Sequence, residues 1–171
     1  MTEVVEECLA ILTRTPATLD SLLRGLPEVW TRATEGPDTW SPRIVMGHLI
    51  HCEKVDWMRR LKIILESGTL RKLDPVDREA DTGQDRTVED LLDEFRAARE
   101  ENLLALRALH LRPEQLALQG MHPALGVVTA RQLLATWTAH DLAHILQISR
   151  VMAKRLKPEV GPWAEYLSVM K

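Results

Sequence analysis

The chain has 171 residues, with 22 lysines and arginines against 25 acidic residues, and its net charge of −3 argues against nucleic-acid binding, which needs a concentrated basic face. Aromatic residues make up only 4% of the chain and helix-forming residues dominate, which argues against an all-β fold. Two cysteines are too few for a disulfide framework, and no signal peptide or membrane-spanning stretch is visible, so a single cytoplasmic domain is expected over residues 1–171.

Proline and N-cap residues delimit the first two predicted helices. Apolar residues at spacings of three and four indicate a helix over residues 3–24, with a kink at Thr15 because the following proline removes an internal hydrogen bond. Ser41 followed by proline is typical of a helix start, so the second helix is predicted over residues 42–66. The segment 67–86 has no helical periodicity and exceeds the usual length of a helix–helix connection, which indicates a crossover.

Capping signals also open the last two predicted helices. Thr87 can cap a third helix that runs to about residue 109, and a short helical turn is predicted at 113–116 within the next long connection. Thr129 and Gln132 form a capping box that begins a fourth helix, which runs to about residue 156. These elements predict an all-α fold, a four-helix bundle with long crossover connections. The buried stripe of the third helix is predicted to be Leu91, Leu92, Phe95, Ala98, Asn102, Leu103 and Leu106.

Three histidines lie on helix faces that are otherwise apolar. His140 and His144 are one turn apart on the fourth helix, and His48 occupies the apolar face of the second. Because an uncompensated buried polar group costs on the order of 1–3 kcal/mol, each imidazole needs a partner. A shared divalent metal would provide one for all three. Spacing alone leaves open the alternative of three hydrogen-bonded core histidines without a metal.

The second helix offers other donors beside His48. Cys52 is the main competitor for a coordination position, and His51 is the next. Three imidazoles would leave one tetrahedral position of zinc open, as in catalytic sites, whereas a fourth protein ligand would make the site structural. Imidazole ligands do not select one ion, so zinc is expected and nickel is the alternative.

A family resemblance rests on WSPRIVMGHLIHCE (40–53), HPALGVVTARQLLATWTAHDLAHILQI (122–148) and the closing VGPWAEYL (160–167). These segments resemble the DinB/YfiT superfamily of metal-binding four-helix bundles. The resemblance implies that His48, His140 and His144 are the metal ligands, and it matches the family's glutamate to Glu53. It also implies reactions that use low-molecular-weight thiols. The expected function is therefore a metal-dependent transferase acting on a small molecule with such a thiol; a hydrolase and a non-catalytic binding or sensing module are the alternatives.

Two residues flank the histidines on the fourth helix. Trp137 lies one turn before His140, and Gln147 lies close to one turn beyond His144, so both are predicted to contact substrate, with core packing as the alternative for Trp137. Asp141 is expected to have a structural role, and Glu53 is expected to form a salt bridge within the bundle.

Other features suggest how substrate and partner surfaces are arranged. Arg59 lies on the His48 face and could attract an anionic substrate, or could extend to solvent. His122 and the pair Asp77-Arg78 lie on the two long connections, where loops often form a lid.

An outer apolar stripe on the fourth helix suggests a homodimer; it consists of Ala135, Leu142 and Leu146.

Overall fold

Nine α-helices and one β-hairpin are present in the part of the chain that the structure describes, which is residues 2–75, 77 and 85–171 of a computed structural model. In chain order they are α1 (Glu3–Leu12), α2 (Thr15–Leu23), α3 (Glu28–Thr31), α4 (Pro42–Val55), α5 (Trp57–Ser67), α6 (Val88–Ala108), α7 (Pro113–Leu116), β1 (Gln119–His122), β2 (Gly126–Thr129), α8 (Ala130–Arg155) and α9 (Lys157–Val160). Short 3₁₀ helices span Gly68–Leu70, Gly161–Tyr166 and Ser168–Met170.

The long helices begin at the residues that the capping signals predicted. The Ser41 hydroxyl accepts a hydrogen bond from the Ile44 amide, and Thr87 accepts one from the Asp90 amide. At the start of α8, Thr129 accepts from the Gln132 amide while the Gln132 side chain accepts from the Thr129 amide, which completes the capping box. These bonds satisfy backbone donors that the first turn of a helix leaves without partners.

The bundle is built from α1–α2, α4–α5, α6 and α8, which confirms the all-α, four-helix-bundle prediction. The α6 helix packs against α2 and α4, and α8 packs against α1 and α5.

The interruption near Thr15 is confirmed, but the prediction of one unbroken helix over residues 42–66 is wrong. The chain breaks at Asp56, with φ −108° and ψ −80°, although the Asp56 amide still donates to the Cys52 carbonyl. No proline or glycine marks this break.

Two apolar cores are separated by a polar layer. On α8, the buried Asp141 lies between Trp137 of one core and Ile148 of the other. On α6, Phe95 belongs to one core and Leu103 to the other, and Arg99 lies fully buried between them. The predicted stripe of α6 differs from the buried face, because Arg99 is buried where Ala98 was expected, and Ala98 and Asn102 are only partly buried.

The hairpin β1–β2 is a further departure from the prediction. The helical turn at 113–116 is confirmed as α7, but the residues after it pair as antiparallel strands, with Gln119 opposite Thr129 and His122 opposite Gly126. A Cβ atom at Gly120 would lie only 2.6 Å from Cγ1 of Ile64, so the close approach of β1 to α5 requires glycine there. The Leu73 amide, on the preceding connection, donates to the Met121 carbonyl.

The outer surface of α8 exposes the side chains of the predicted dimer stripe. Leu142 and Leu146 are each at least half exposed. Pairing of two chains through this stripe stays a prediction.

Within the described ranges, no helix combines the length and the apolar character that crossing a membrane would need. Arg78, one of the two residues proposed for a lid on the first long connection, lies outside the described residues.

Candidate metal centre

Three imidazole rings converge between α4 and α8. The Ser41 cap starts α4 two turns before His48, and the capping box at Thr129 starts α8 so that His140 and His144 project from one face. Nε2 of His140 lies 3.1 Å from Nε2 of His48 and 3.1 Å from Nε2 of His144. The structure thus brings together the three histidines that the sequence singled out.

The spacing of these nitrogens suits a shared cation. Two nitrogens bound to one tetrahedral zinc at about 2.05 Å would be about 3.3 Å apart, close to both distances observed here. Hydrogen bonding alone does not account for both contacts, because a neutral ring nitrogen carries either one proton or one lone pair. Nε2 of His140 can therefore bond to only one of its two neighbours in that way. The donor atoms of His48, Cys52 and His140 lie mutually within 4.8 Å, and His144 adds a nitrogen 3.1 Å from that of His140. This donor set fits a divalent metal.

Cys52 lies close enough to act as a further ligand. Its Sγ is 3.6 Å from Nε2 of His48, and the donor atoms of His48, Cys52 and His140 all lie within 4.8 Å of one another. A sulfur and a nitrogen on one tetrahedral zinc would be about 3.5 Å apart. The structure therefore keeps Cys52 as the competitor that the sequence identified. His51, the other suspect, is not on the wall of the cavity described below.

Gln147 orients the ring of His144. Its Oε1 is 2.8 Å from Nδ1 of His144, so the tautomer with the proton on Nδ1 donates to the amide oxygen and leaves the Nε2 lone pair facing Nε2 of His140. Burial lowers the pKa of His144, while Gln147 and Asp141 act in the opposite direction. The lowered pKa keeps the ring neutral at pH 7, which is the form that binds metal.

Tryptophans enclose the three rings. Trp40 stacks on His144 with ring centroids 6.2 Å apart and also lies 4.9 Å from His48. Trp57 meets His140 edge-on at 5.0 Å and stacks on Trp137. These contacts limit the rotation of the imidazoles and shield them from water.

The two residues predicted to contact substrate make contacts with the protein instead. Trp137 is buried, and its Nε1 donates to Oε1 of Glu53 at 3.0 Å. Gln147 bonds to His144, and neither Trp137 nor Gln147 is on the wall of the cavity beside the histidines. A direct contact of either side chain with substrate stays a prediction, and the observed geometry favours supporting roles.

A buried ion cluster joins the helices that carry the histidines, and Arg99 at its centre was missed by the sequence analysis. The guanidinium contacts both carboxylate oxygens of Asp141, at 2.6 and 2.9 Å, and Oε1 of Glu53 at 2.8 Å. It also donates to the Leu12 carbonyl at the end of α1. Asn102 donates to the other oxygen of Glu53. The predicted salt bridge of Glu53 and the structural role of Asp141 are confirmed.

The cluster holds one cation and two carboxylates, and all three side chains are almost completely buried. Burial acts to lower the pKa of Arg99, but Asp141 and Glu53 together outweigh it and hold that pKa above its ordinary value. Arg99 therefore stays cationic. Since Glu53 follows Cys52 directly and Asp141 follows His140 directly, the cluster fixes the two ligand-bearing helices relative to each other.

A cavity of about 610 Å³ opens beside the histidines. Its wall includes the three imidazoles and Cys52, and Leu125 on the hairpin loop, three-quarters exposed, forms part of its rim. The polar residues farther along the wall are Asp56, Arg60, His122, Gln132 and Thr136, and the apolar ones include Trp57, Leu73, Pro75, Val128 and Leu133. The hairpin thus covers one side of the cavity, which supports the lid position predicted for His122.

The cation on the cavity wall is Arg60 and not Arg59. The Arg59 side chain is 57% exposed and pairs with the Asp74 carboxylate at 2.9 Å. Arg60 pairs with Asp56 at 2.8 Å, and both side chains are nearly buried. Burial raises the pKa of Asp56, and Arg60 opposes this shift. The exposure of Arg59 agrees with the alternative prediction that it extends to solvent. Because the helix breaks at Asp56, Arg60 lies on the cavity wall where regular spacing from His48 would place Arg59.

Comparisons with known proteins agree with this architecture. A family model described as the DinB superfamily matches residues 11–148. Among solved structures, the chain is similar to YfiT from Bacillus subtilis, with a TM-score of 0.70, 20% sequence identity, and coverage of 86% of this chain and 87% of YfiT. YfiT is described as a probable metal-dependent hydrolase with an unusual four-helix bundle topology. At this identity the likeness shows the fold. The search of curated proteins gives no match.

Proposed function

Since this chain belongs to the DinB superfamily, we propose that it is a metal-dependent transferase acting on a small molecule with a low-molecular-weight thiol as cosubstrate. His48, His140 and His144 would hold one divalent ion, with zinc as the first candidate and nickel as the second. The observation that carries this proposal is the convergence of three ring nitrogens on the wall of a 610 Å³ cavity. That volume lies within the range of small-molecule sites, roughly 300–1,000 Å³.

A bound divalent metal supplies Lewis acidity. It lowers the pKa of a bound thiol or water molecule, so that the molecule can ionise at neutral pH. The chain's own residues prepare this chemistry. Gln147 sets the tautomer of His144, and the two tryptophans hold the rings in place. The thiol proton needs an acceptor; Asp56 lies on the same wall, about 12 Å along the helix path from His48, so water molecules in the cavity would have to carry the proton to it. As the sulfur bonds to an electrophilic carbon in the cavity, the bond from that carbon to its leaving group breaks, and the leaving group takes up the proton.

The thiol role predicts a spectroscopic signal. Adding a cosubstrate thiol to cobalt-substituted protein should produce an intense sulfur-to-metal charge-transfer absorption, because the sulfur must reach the metal as a thiolate. Several cellular thiols are titrated separately, and the His48→Ala variant serves as the control with a disrupted site. If protein with measured cobalt content shows no new band with any thiol, the thiol role is wrong.

A metal-dependent hydrolase is the second candidate. A bound divalent metal can activate water for attack as well as a thiol, so the same three histidines and cavity would serve hydrolysis. The description of YfiT as a probable metal-dependent hydrolase points the same way. The cobalt titration separates the two candidates, since only the transferase requires thiol binding.

A non-catalytic metal module would need a closed coordination sphere, and Cys52 is the residue that could close it. For a catalytic site, Cys52→Ser should leave the metal content of the purified protein nearly unchanged, because the remaining position belongs to solvent or substrate. Cys8→Ser is the matched control, since Cys8 is also a buried cysteine outside any disulfide but, unlike Cys52, is not on the cavity wall. Loss of metal from Cys52→Ser with full retention in Cys8→Ser would instead favour a structural site.

A further inference from the structure

The cavity extends well beyond the histidines along α4 and α5. His48, Cys52, Asp56 and Arg60 follow one another at intervals of four residues, and all four are on the cavity wall. At 1.5 Å per residue, each interval covers about 6 Å, so Arg60 lies roughly 18 Å along the helix path from His48. The cavity thus has a histidine end and an arginine end.

Two contacts hold the Arg60 guanidinium in place at its end. Nε lies 2.8 Å from Oδ1 of Asp56, and Nη2 donates to the Asp74 carbonyl at 2.9 Å. The first contact is an ion pair without a hydrogen bond, and the second uses one of the five N–H donors of the group. Among the described residues the guanidinium forms no other hydrogen bond. A rigid, planar cation with remaining donors is suited to a carboxylate, which it can bind through two parallel hydrogen bonds.

His122 supplies a second donor on the cavity wall, near enough to Arg60 for the charge of that arginine to act on it. Its Nδ1 accepts hydrogen bonds from the Ala124 and Leu125 amides at 3.2 and 3.1 Å. The neutral ring must then carry its proton on Nε2, which makes that nitrogen a donor. Burial lowers the pKa of His122, and the charge of Arg60 lowers it further, so the ring is neutral at pH 7.

The charges around this end favour an anion. Among the described residues, Arg59, Arg60 and Arg71 form ion pairs there with the carboxylates of Asp56 and Asp74. Between the two ends the wall is largely apolar and includes Leu73, Val128 and Leu133. A ligand that fits these surfaces has an aliphatic body and one negatively charged terminus.

We propose that Arg60 and His122 form a carboxylate subsite, so that the substrates of this protein are small carboxylic acids whose reactive group lies at the histidine end. The position of the reactive group rests on the proposed function, whereas the carboxylate subsite does not. The anion-attracting role that helical spacing suggested for Arg59 is thereby assigned to Arg60.

Binding of simple probes tests the subsite. The full-length protein, as purified, is titrated with straight-chain carboxylates of four to eight carbons and with the alcohols of the same length. Trp57, on the cavity wall, provides the fluorescence signal. The carboxylate should bind about tenfold or more tightly than the matching alcohol, because only it can accept charge-assisted hydrogen bonds.

Two variants test whether Arg60 causes the preference for carboxylates over alcohols. Arg60→Gln combined with Asp56→Asn removes both charges together, so no unpaired buried charge is left to unfold the protein. This double variant should lose the carboxylate preference, and Arg59→Gln should retain it. Equal binding of carboxylate and alcohol by the wild-type protein would overturn the subsite. So would a preference that persists in the double variant, since the carboxylate would then bind at the histidine end.

A second titration separates this inference from the proposed function. Thiols with a terminal carboxylate and thiols with a terminal hydroxyl, in matched chain lengths, are added to the cobalt-substituted protein. If a charge-transfer band appears and the carboxylate series binds more tightly, both proposals are supported. If neither series gives a band while the simple carboxylates still show their preference, the thiol role fails and the subsite stands. If both series give the band with equal affinity, the subsite fails.

Discussion

Replacing Arg99 with methionine is expected to lower the free energy of unfolding by about 3–5 kcal/mol, the range found when one partner of a buried ion pair is removed. The substitution leaves the Glu53 and Asp141 carboxylates buried without their cation, and both are at most 4% exposed. It also removes the hydrogen bond to the Leu12 carbonyl, so α1, α4, α6 and α8 lose their common contact. Urea unfolding followed by circular dichroism measures the change.

Two variants show that the effect belongs to the buried cluster. Arg96→Met, one turn earlier on α6, removes an arginine that is 43% exposed and pairs with Asp20, and it should cost less than about 1 kcal/mol. Combining Arg99→Met with Glu53→Gln and Asp141→Asn should recover much of the lost stability, because no unpaired charge remains buried. A similar small loss for Arg99→Met and Arg96→Met would contradict the structural importance of the cluster.

Local signals made most of the helical architecture predictable. Ser41, Thr87 and Thr129 begin their helices because their hydroxyls bond to amides two or three residues on, and that chemistry is contained in a few neighbouring residues. The apolar faces of α4 and α8 likewise revealed that the histidines point inward. These inferences needed no knowledge of tertiary contacts.

Features that depend on distant residues were not predictable in the same way. Arg99 was left out of the buried stripe because an arginine is usually exposed, and only the two carboxylates brought from α4 and α8 make its burial tolerable. The β1–β2 hairpin depends on the fit of Gly120 against Ile64 on another element. The break at Asp56 has no proline or glycine, so the shift from Arg59 to Arg60 on the cavity wall could not be read from periodicity.

The ligand set was only partly accessible from the sequence. The four-residue spacing placed His140 and His144 together, and the choice of His48 over Cys52 depended on the family resemblance. In the structure both side chains are near His140. The supporting contact from Gln147 to His144 was also not anticipated, since an inward-facing glutamine on the same helix face suggested a contact with substrate.

Replacing His140 with alanine is expected to weaken metal binding by about 100-fold or more. His140 is the central member of the three, with its Nε2 3.1 Å from both of the others. Loss of a residue that merely supports a ligand typically costs 10- to 100-fold in affinity, so loss of a ligand should exceed that range. Competition with a chromophoric zinc chelator measures the affinity.

The His51→Ala variant is the control, because it removes an imidazole that is not one of the proposed ligands. His51 lies on α4 next to the site but is not on the cavity wall, so His51→Ala should bind zinc with nearly the wild-type affinity. If His51→Ala and His140→Ala weaken binding equally, the effect is on folding and not on coordination. Unfolding curves of both variants, recorded without metal, separate these causes.

The central claim is that His48, His140 and His144 hold one divalent ion, and elemental analysis of protein purified without a metal-affinity tag tests it most directly. The account predicts about one equivalent of zinc or nickel per chain in the wild-type protein and in His51→Ala, and a nearly complete loss in His140→Ala. A wild-type protein without bound metal that also takes up none on titration would contradict the claim, and so would full occupancy in His140→Ala.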